Sequence, residues 1–350
     1  MARRTVVMIL AIVASLAPTD ARSQDVKVKG IDSLQVRANL QVQLNTTSVE
    51  DEPGSEWILR RARLGVRGWA AGWIRGDLEA DFGRGGAKLT DGYVTLVFAP
   101  VFGLRLGQFK KPFDALELTS SRELLVAERD GSPRGAGGPT PNGLVDGLGY
   151  SNRDIGAESG GRSGRLGWMA GFWNGAGDNE AEDDDGKQLA GRLNVAALPG
   201  WTVSGAWTGK RVSVPPDAED AAWYDAVEVA VTGGEYGEPG WRALGQVLAG
   251  DNWRPDQGGG DEVSFLAVQG IVAYHVPLFT TPYLVGVEPV LRIGWTDPDT
   301  DGDDDEATLS TAGVNLYLHR HLKTQIQADF LSPAEGDGEV ALRVHTVLEF

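Results

Sequence analysis

Long stretches of strict two-residue alternation limit what this chain can fold into more than any other feature. In SLQVRANLQVQL, Leu34, Val36, Ala38, Leu40, Val42 and Leu44 share one parity, and Gln35, Arg37, Asn39, Gln41 and Gln43 share the other. Successive strand side chains point to opposite faces, so the segment has one apolar and one polar face. The rhythm returns in WIRGDLEADF and in LKTQIQADF. A soluble sandwich also alternates. These runs, however, are mostly roughly 9 to 13 residues long, the length of a tilted strand crossing a bilayer. Trp57, Trp69, Trp73, Trp201 and Trp241 fall near strand ends, where an interfacial aromatic girdle belongs.

Sixteen candidate strands follow, near 33–44, 57–69, 73–83, 88–98, 102–109, 147–158, 164–175, 187–197, 200–211, 222–231, 240–250, 262–276, 284–297, 306–318, 321–331 and 338–350. The even count suits a single-chain bacterial barrel. Connections alternate between tight (199–200, 319–321) and long (110–147, 178–186, 297–306), as periplasmic turns and external loops do. The expected fold is an all-β, transmembrane antiparallel barrel of about 16 strands with an inward-folded constriction loop. Such a barrel encloses an aqueous channel rather than a packed core.

Composition agrees. Hydrophobic content of 41% is too low for a helical membrane protein but normal where only alternate residues meet lipid. Cysteine is absent, which excludes a disulfide framework and thiolate metal sites. The net charge of -17 speaks against nucleic acid as a partner. At the N-terminus, Arg3 and Arg4 precede an apolar run from Val6 to Ala17, and Ala21-Arg22-Ser23 offers small residues for cleavage. Residues 1–23 therefore read as a secretory signal peptide and 24–350 as the barrel. The last strand, VALRVHTVLEF, places Leu342, Val344, Thr346, Leu348 and Phe350 on one face, the pattern read by the outer-membrane barrel assembly machinery.

The strongest functional candidates are basic. In ILRRARLGVRG, Arg61, Arg63 and Arg67 take the lumen parity and Arg60 sits near the strand start. Charge on a lipid face is expensive, so these side chains should point into water, where rings of Arg and Lys attract anions. Arg37, Arg75, Arg105, Arg192, Lys210, Arg242, Arg292, Lys323 and Arg343 also fall on polar parities. Pro112 ends strand pairing. The long segment after it either folds inward, making Lys110, Lys111, Ser120 and Ser121 constriction residues, or stays external with a short helix near 121–128.

LRRARLGVRG, LTDGYV, LGQFKKPF, LELTSS and AERD follow in order, and GKQLAGRLNVAALPG and TAGVNLYLHRHLKTQIQADF come later. This set resembles the phosphate-selective porin O/P family. The resemblance implies a sixteen-stranded barrel, usually trimeric, that takes up anions. It places Arg60, Arg61, Asp91, Ser120 and Ser121 at the family's constriction. Glu117 stands where phosphate-selective members carry a lysine, and a carboxylate there should repel phosphate.

The remaining features imply less. Asp297, Asp299 and Asp301 alternate before Gly302, as in a calcium loop, but position twelve is Thr308 rather than Glu. Acidic loops of this kind also suit contact with lipopolysaccharide. The histidines His275, His319, His321 and His345 have no Ser or Asp partner at motif spacing, and no cofactor is expected. The expectation is thus a passive channel, in contact with membrane lipid, passing small anionic solutes. The alternatives are a plugged structural or adhesive barrel, or an enzymatic one.

Overall fold

The computed structural model describes residues 30–48, 53–131, 139–181, 186–212, 222–254, 259–260 and 263–350. The first eight strands are β1 (Ser33–Thr47), β2 (Glu56–Ala70), β3 (Ile74–Asp81), β4 (Lys88–Ala99), β5 (Phe102–Lys110), β6 (Arg153–Ser163), β7 (Leu166–Trp173) and β8 (Gln188–Leu198). The second eight are β9 (Trp201–Val212), β10 (Ala222–Gly233), β11 (Gly240–Asp251), β12 (Ser264–Thr281), β13 (Leu284–Asp297), β14 (Ala307–His319), β15 (Leu322–Pro333) and β16 (Glu339–Glu349). Each pairs antiparallel with its sequence neighbour, and β16 closes the barrel on β1 through Asn39↔Glu349 to Thr47↔Ala341. Closure removes every sheet edge, which a lipid environment demands.

The barrel is inside-out relative to a soluble protein. Leu64, Leu78, Val229, Leu291, Ile293 and Leu342 are all more than half exposed. On the opposite parity Gln41, Gln43, Asn315, Gln325 and Lys323 are buried. An apolar outer band of this extent has no place in water and matches a bilayer. Trp73, Phe98 and Phe102 stack at 5.8 and 5.7 Å beside the tight turns at 71–73 and 100–101. These turns, with 164–165, 199–200, 282–283 and 320–321, mark the end that the short-turn rule assigns to the periplasm. Ala71 and Gly72 both have positive φ, the left-handed backbone that lets the three-residue connection 71–73 reverse the chain tightly.

Two expectations need correction. The sixth strand begins at Arg153, not at 147, because residues before it form a helix, Pro141–Gly147, capped by the Thr140 hydroxyl at the Gly143 N–H. The anticipated helix near 121–128 is absent. That stretch needs no helical hydrogen bonds because the barrel wall supplies donors for its carbonyls. A four-residue helix, Ala115–Leu118, stands earlier in the segment instead. The signal-peptide span 1–23 lies outside the described residues, as do 182–185 of the first acidic run.

Candidate functional site

The segment between β5 and β6 enters the barrel and docks on one wall. Lys323 donates to the carbonyls of Arg122 and Leu124 at 2.9 and 2.8 Å. Gln325, Gln327 and Asn315 all donate to the Leu125 carbonyl, and Ala127 N–H donates back to Gln327. Arg242 donates to the Glu123 carbonyl, and Arg292 to those of Glu128 and Arg129. Beneath the loop, Arg292 and Arg343 both pair with Asp329, at 3.1 and 2.7 Å. These buried polar groups are thus satisfied by the loop backbone, which orders the loop in turn.

Apolar contacts reinforce this. Leu116, Leu124, Leu125 and Val126 pack on Ala230, Leu244, Ile271, Ala273 and Val290. Phe113, Leu144, Val145, Leu148 and Tyr150 pack on Ala206, Ala226, Leu248, Phe265 and Ala267. The inward face of β9 to β13 is therefore small and apolar where the loop lies. Asp114 anchors the loop's start in a positive-φ conformation (φ 64°) and is fully buried. It accepts from Leu116 N–H, Glu117 N–H, Gln246 and Asn142. Burial, and then the nearby Glu228 carboxylate, pushes its carboxyl up to about 6.

The loop leaves a cavity of about 380 Å³ against the opposite wall. From the wall it is lined by Arg37, Arg63, Arg67, Arg105 and Arg153, by Glu79, Asp91 and Glu158, and by Tyr93, Phe109 and Met169. From the loop come Pro112, Leu118, Ser120, Ser121 and Arg122. Charge is uneven along it. Asp77 serves three arginines at once: Arg37 at 2.7 Å, Arg67 at 2.9 Å and Arg75 at 3.1 Å. Higher up, Arg63 faces two carboxylates, Asp81 at 2.9 Å and Glu79 at 3.5 Å, and Arg153 grips Asp91 with two hydrogen bonds.

The lumen-parity cations thus divide into two populations that parity alone does not separate. Arg192, Arg242, Arg292, Lys323 and Arg343 are buried on the loop-bearing side; Arg192 is spent on Glu228 at 2.6 Å. Of the residues expected at the constriction, Arg63, Arg67, Asp91, Lys110, Ser120 and Ser121 line the cavity. Arg60, Arg61, Lys111, Glu117 and Arg192 do not. Lys111 is buried, donating to the Gly149 carbonyl and to Gln188. Arg60 holds Glu128 across the lumen through two hydrogen bonds, and Arg61 donates to Gln41, whose amide reaches Ser121. A bulge puts both of these consecutive arginines inside: Gln41 pairs with Arg61 but Val42 with Leu59, leaving Arg60 as the extra residue. Tyr93, Phe109, Met169 and Arg153 were missed from sequence, although Tyr93 and Asp91 share a parity in β4.

The acidic run at 297–306 behaves as turns. Asp297 accepts from Asp299 N–H and Asp299 from Asp301 N–H. Among the described residues no three metal-capable side chains converge.

Residues 34–211, just over half of the chain, match the family described as phosphate-selective porin O and P. The chain belongs to this family. It is a passive porin of the bacterial outer membrane. Solved structures show the same fold at low identity. The anion-selective porin from Comamonas acidovorans is 15% identical with a TM-score of 0.66, covering 91% of this chain and 99% of that one. The outer-membrane channel DcaP of Acinetobacter baumannii is 12% identical with a TM-score of 0.65, covering 93% and 99%. Salmonella typhi OmpF in complex with daunomycin is 12% identical with a TM-score of 0.63, covering 93% and 100%. Among curated proteins none matches this chain at a significant level.

The porin's Glu117 does not face the passage as expected. Its carboxylate bridges Lys110 at 2.9 Å and Arg129 at 3.1 Å. Burial alone would raise this carboxyl, but Arg129 and Lys110 overcome it and hold it down at about 2. Its ion pair with Arg129 therefore stabilises the loop fully above the ordinary glutamate range and is lost as pH falls towards about 2. Glu117→Gln should deprive the buried Lys110 and Arg129 of the carboxylate that ties them together and so loosen the start of the loop. Single-channel current at neutral pH should then be noisier than in the wild type, and an unchanged noise level would contradict this anchoring role.

Proposed function

We propose that this porin passes small anions in preference to cations, through the passage between the docked loop and the β1–β7 wall. The observation that carries this is the sharing of Asp77 by Arg37, Arg67 and Arg75, which leaves a local surplus of positive charge. Arg63, Arg67, Asp91, Lys110, Ser120 and Ser121 form the constriction in this reading. Arg60, Arg61, Lys111 and Glu117 hold the loop that narrows it. Chemistry at this site is electrostatic guidance rather than catalysis, and the protein is not an enzyme. One solved structure of the same fold is described as an anion-selective porin, in line with this reading.

The protein is exported with residues 1–23 as signal peptide, inserted by the barrel assembly machinery and surrounded by lipid and lipopolysaccharide. It assembles as a homotrimer; an outer-membrane protein of Vibrio cholerae with the same fold is described in a trimer form, with a TM-score of 0.59. Planar-bilayer reversal potentials in a KCl gradient test the proposal. Chloride preference supports it, and potassium preference overturns the anion reading.

A further inference from the structure

We infer that the passage contains, on its periplasmic side, a subsite for aromatic carboxylates centred on Tyr93 and Arg105. This rests on the anion-leaning reading above and names the solute class that the same wall would select.

Two observations meet there. The first is charge. Arg75 and Arg105 both lie over the Tyr93 ring, Arg37 and Arg67 share Asp77 with Arg75, and Arg105 faces Glu158. Arg105 is the least committed of the four. Its ion pair with Glu158 spans 3.3 Å, and its side chain remains 30% exposed. A guanidinium with unspent N–H groups is a carboxylate receptor, because the planar fork matches two carboxylate oxygens.

The second observation is the apolar surface beside that charge. The Arg105 guanidinium lies 4.9 Å from the Tyr93 ring centre and 5.1 Å from that of Phe109. Phe109 meets Tyr93 at 5.9 Å and Trp173 at 5.8 Å, both edge to face, so two buried rings back the partly exposed Tyr93. Met169 completes the cavity lining on this side. Inorganic phosphate presents oxygen in every direction and gains nothing from rings or a thioether. An aromatic acid uses both halves, its carboxylate on Arg105 and its ring against Tyr93 and Met169. A cavity of about 380 Å³ admits a single-ring acid.

The test is block of KCl current through single channels by benzoate, acetate and inorganic phosphate. Benzoate should half-block at a concentration about tenfold below that of acetate, the factor one good ring contact supplies. Phosphate should resemble acetate. Tyr93→Ala should abolish the benzoate advantage, Tyr93→Phe should keep it, and Arg105→Gln should weaken block by benzoate and acetate alike. An anion-selective channel that does not distinguish benzoate from acetate in the wild type overturns the subsite alone. A cation-selective wild-type channel overturns the underlying reading as well.

Discussion

Arg292→Met is expected to undock the constriction loop and raise single-channel conductance severalfold. Arg292 is fully buried and touches four partners: the carbonyls of Glu128 and Arg129, the Thr311 hydroxyl and the Asp329 carboxylate. Methionine fills similar volume but donates nothing. Two loop carbonyls then lie buried and unsatisfied, and Asp329 keeps only Arg343 as its cation. Breaking a buried pair by removing one member costs about 3 kcal/mol or more. The loop can relieve that cost by leaving the wall, whereas the barrel strands cannot, since each is held by ladders on both sides. The effect should therefore appear as larger, noisier conductance with a barrel that still migrates as folded on an unheated gel. Unchanged conductance in a folded Arg292→Met barrel would mean that the loop's apolar contacts alone hold it.

The second large effect concerns selectivity. In Arg37→Gln/Arg67→Gln/Arg75→Gln, Asp77 loses its three cations, and the local charge changes from a surplus of positive to a lone carboxylate. An ion about 6 Å from one unit charge feels about 0.7 kcal/mol in bulk water and about 3 kcal/mol at an effective dielectric of 20. With about 1.4 kcal/mol per factor of ten, three charges should shift the permeability ratio by at least about tenfold, to cation preference. Adding Asp77→Asn to the triple variant removes the lone carboxylate and should bring the channel back towards neutrality. The shifts should shrink at high salt, where the Debye length falls to about 3 Å at 1 M. A triple variant that stays anion-selective would place the selectivity elsewhere in the lumen.

Much of the barrel is legible in the sequence because a two-residue period has one physical meaning when lipid lies on one side and water on the other. Arg61, Arg63 and Arg67 were placed inside by that argument alone. What parity does not say is which part of the lumen a side chain meets. Arg292 and Arg67 read alike, yet one is buried beneath a loop and the other lines the passage, because barrel closure sets β13 and β2 on different walls. One signal was available. In β10, Ala226 and Ala230 face inward while Val227, Val229 and Val231 face out. Alanines on a lumen parity, on either side of the single buried Glu228, suit a wall covered by protein rather than water. The bulge at Arg60 left no such trace, since the alternation around it is interrupted by one residue that itself is charged. Glu117 was legible as a departure but not as a partner of Lys110 and Arg129, whose meeting depends on the fold of the loop.

The reversal potential of the wild-type channel in a KCl gradient at low ionic strength tests the central claim most directly. A potential displaced towards the chloride equilibrium value, and relaxing towards zero as salt is raised, is the predicted result. A potential displaced towards the potassium value would contradict it.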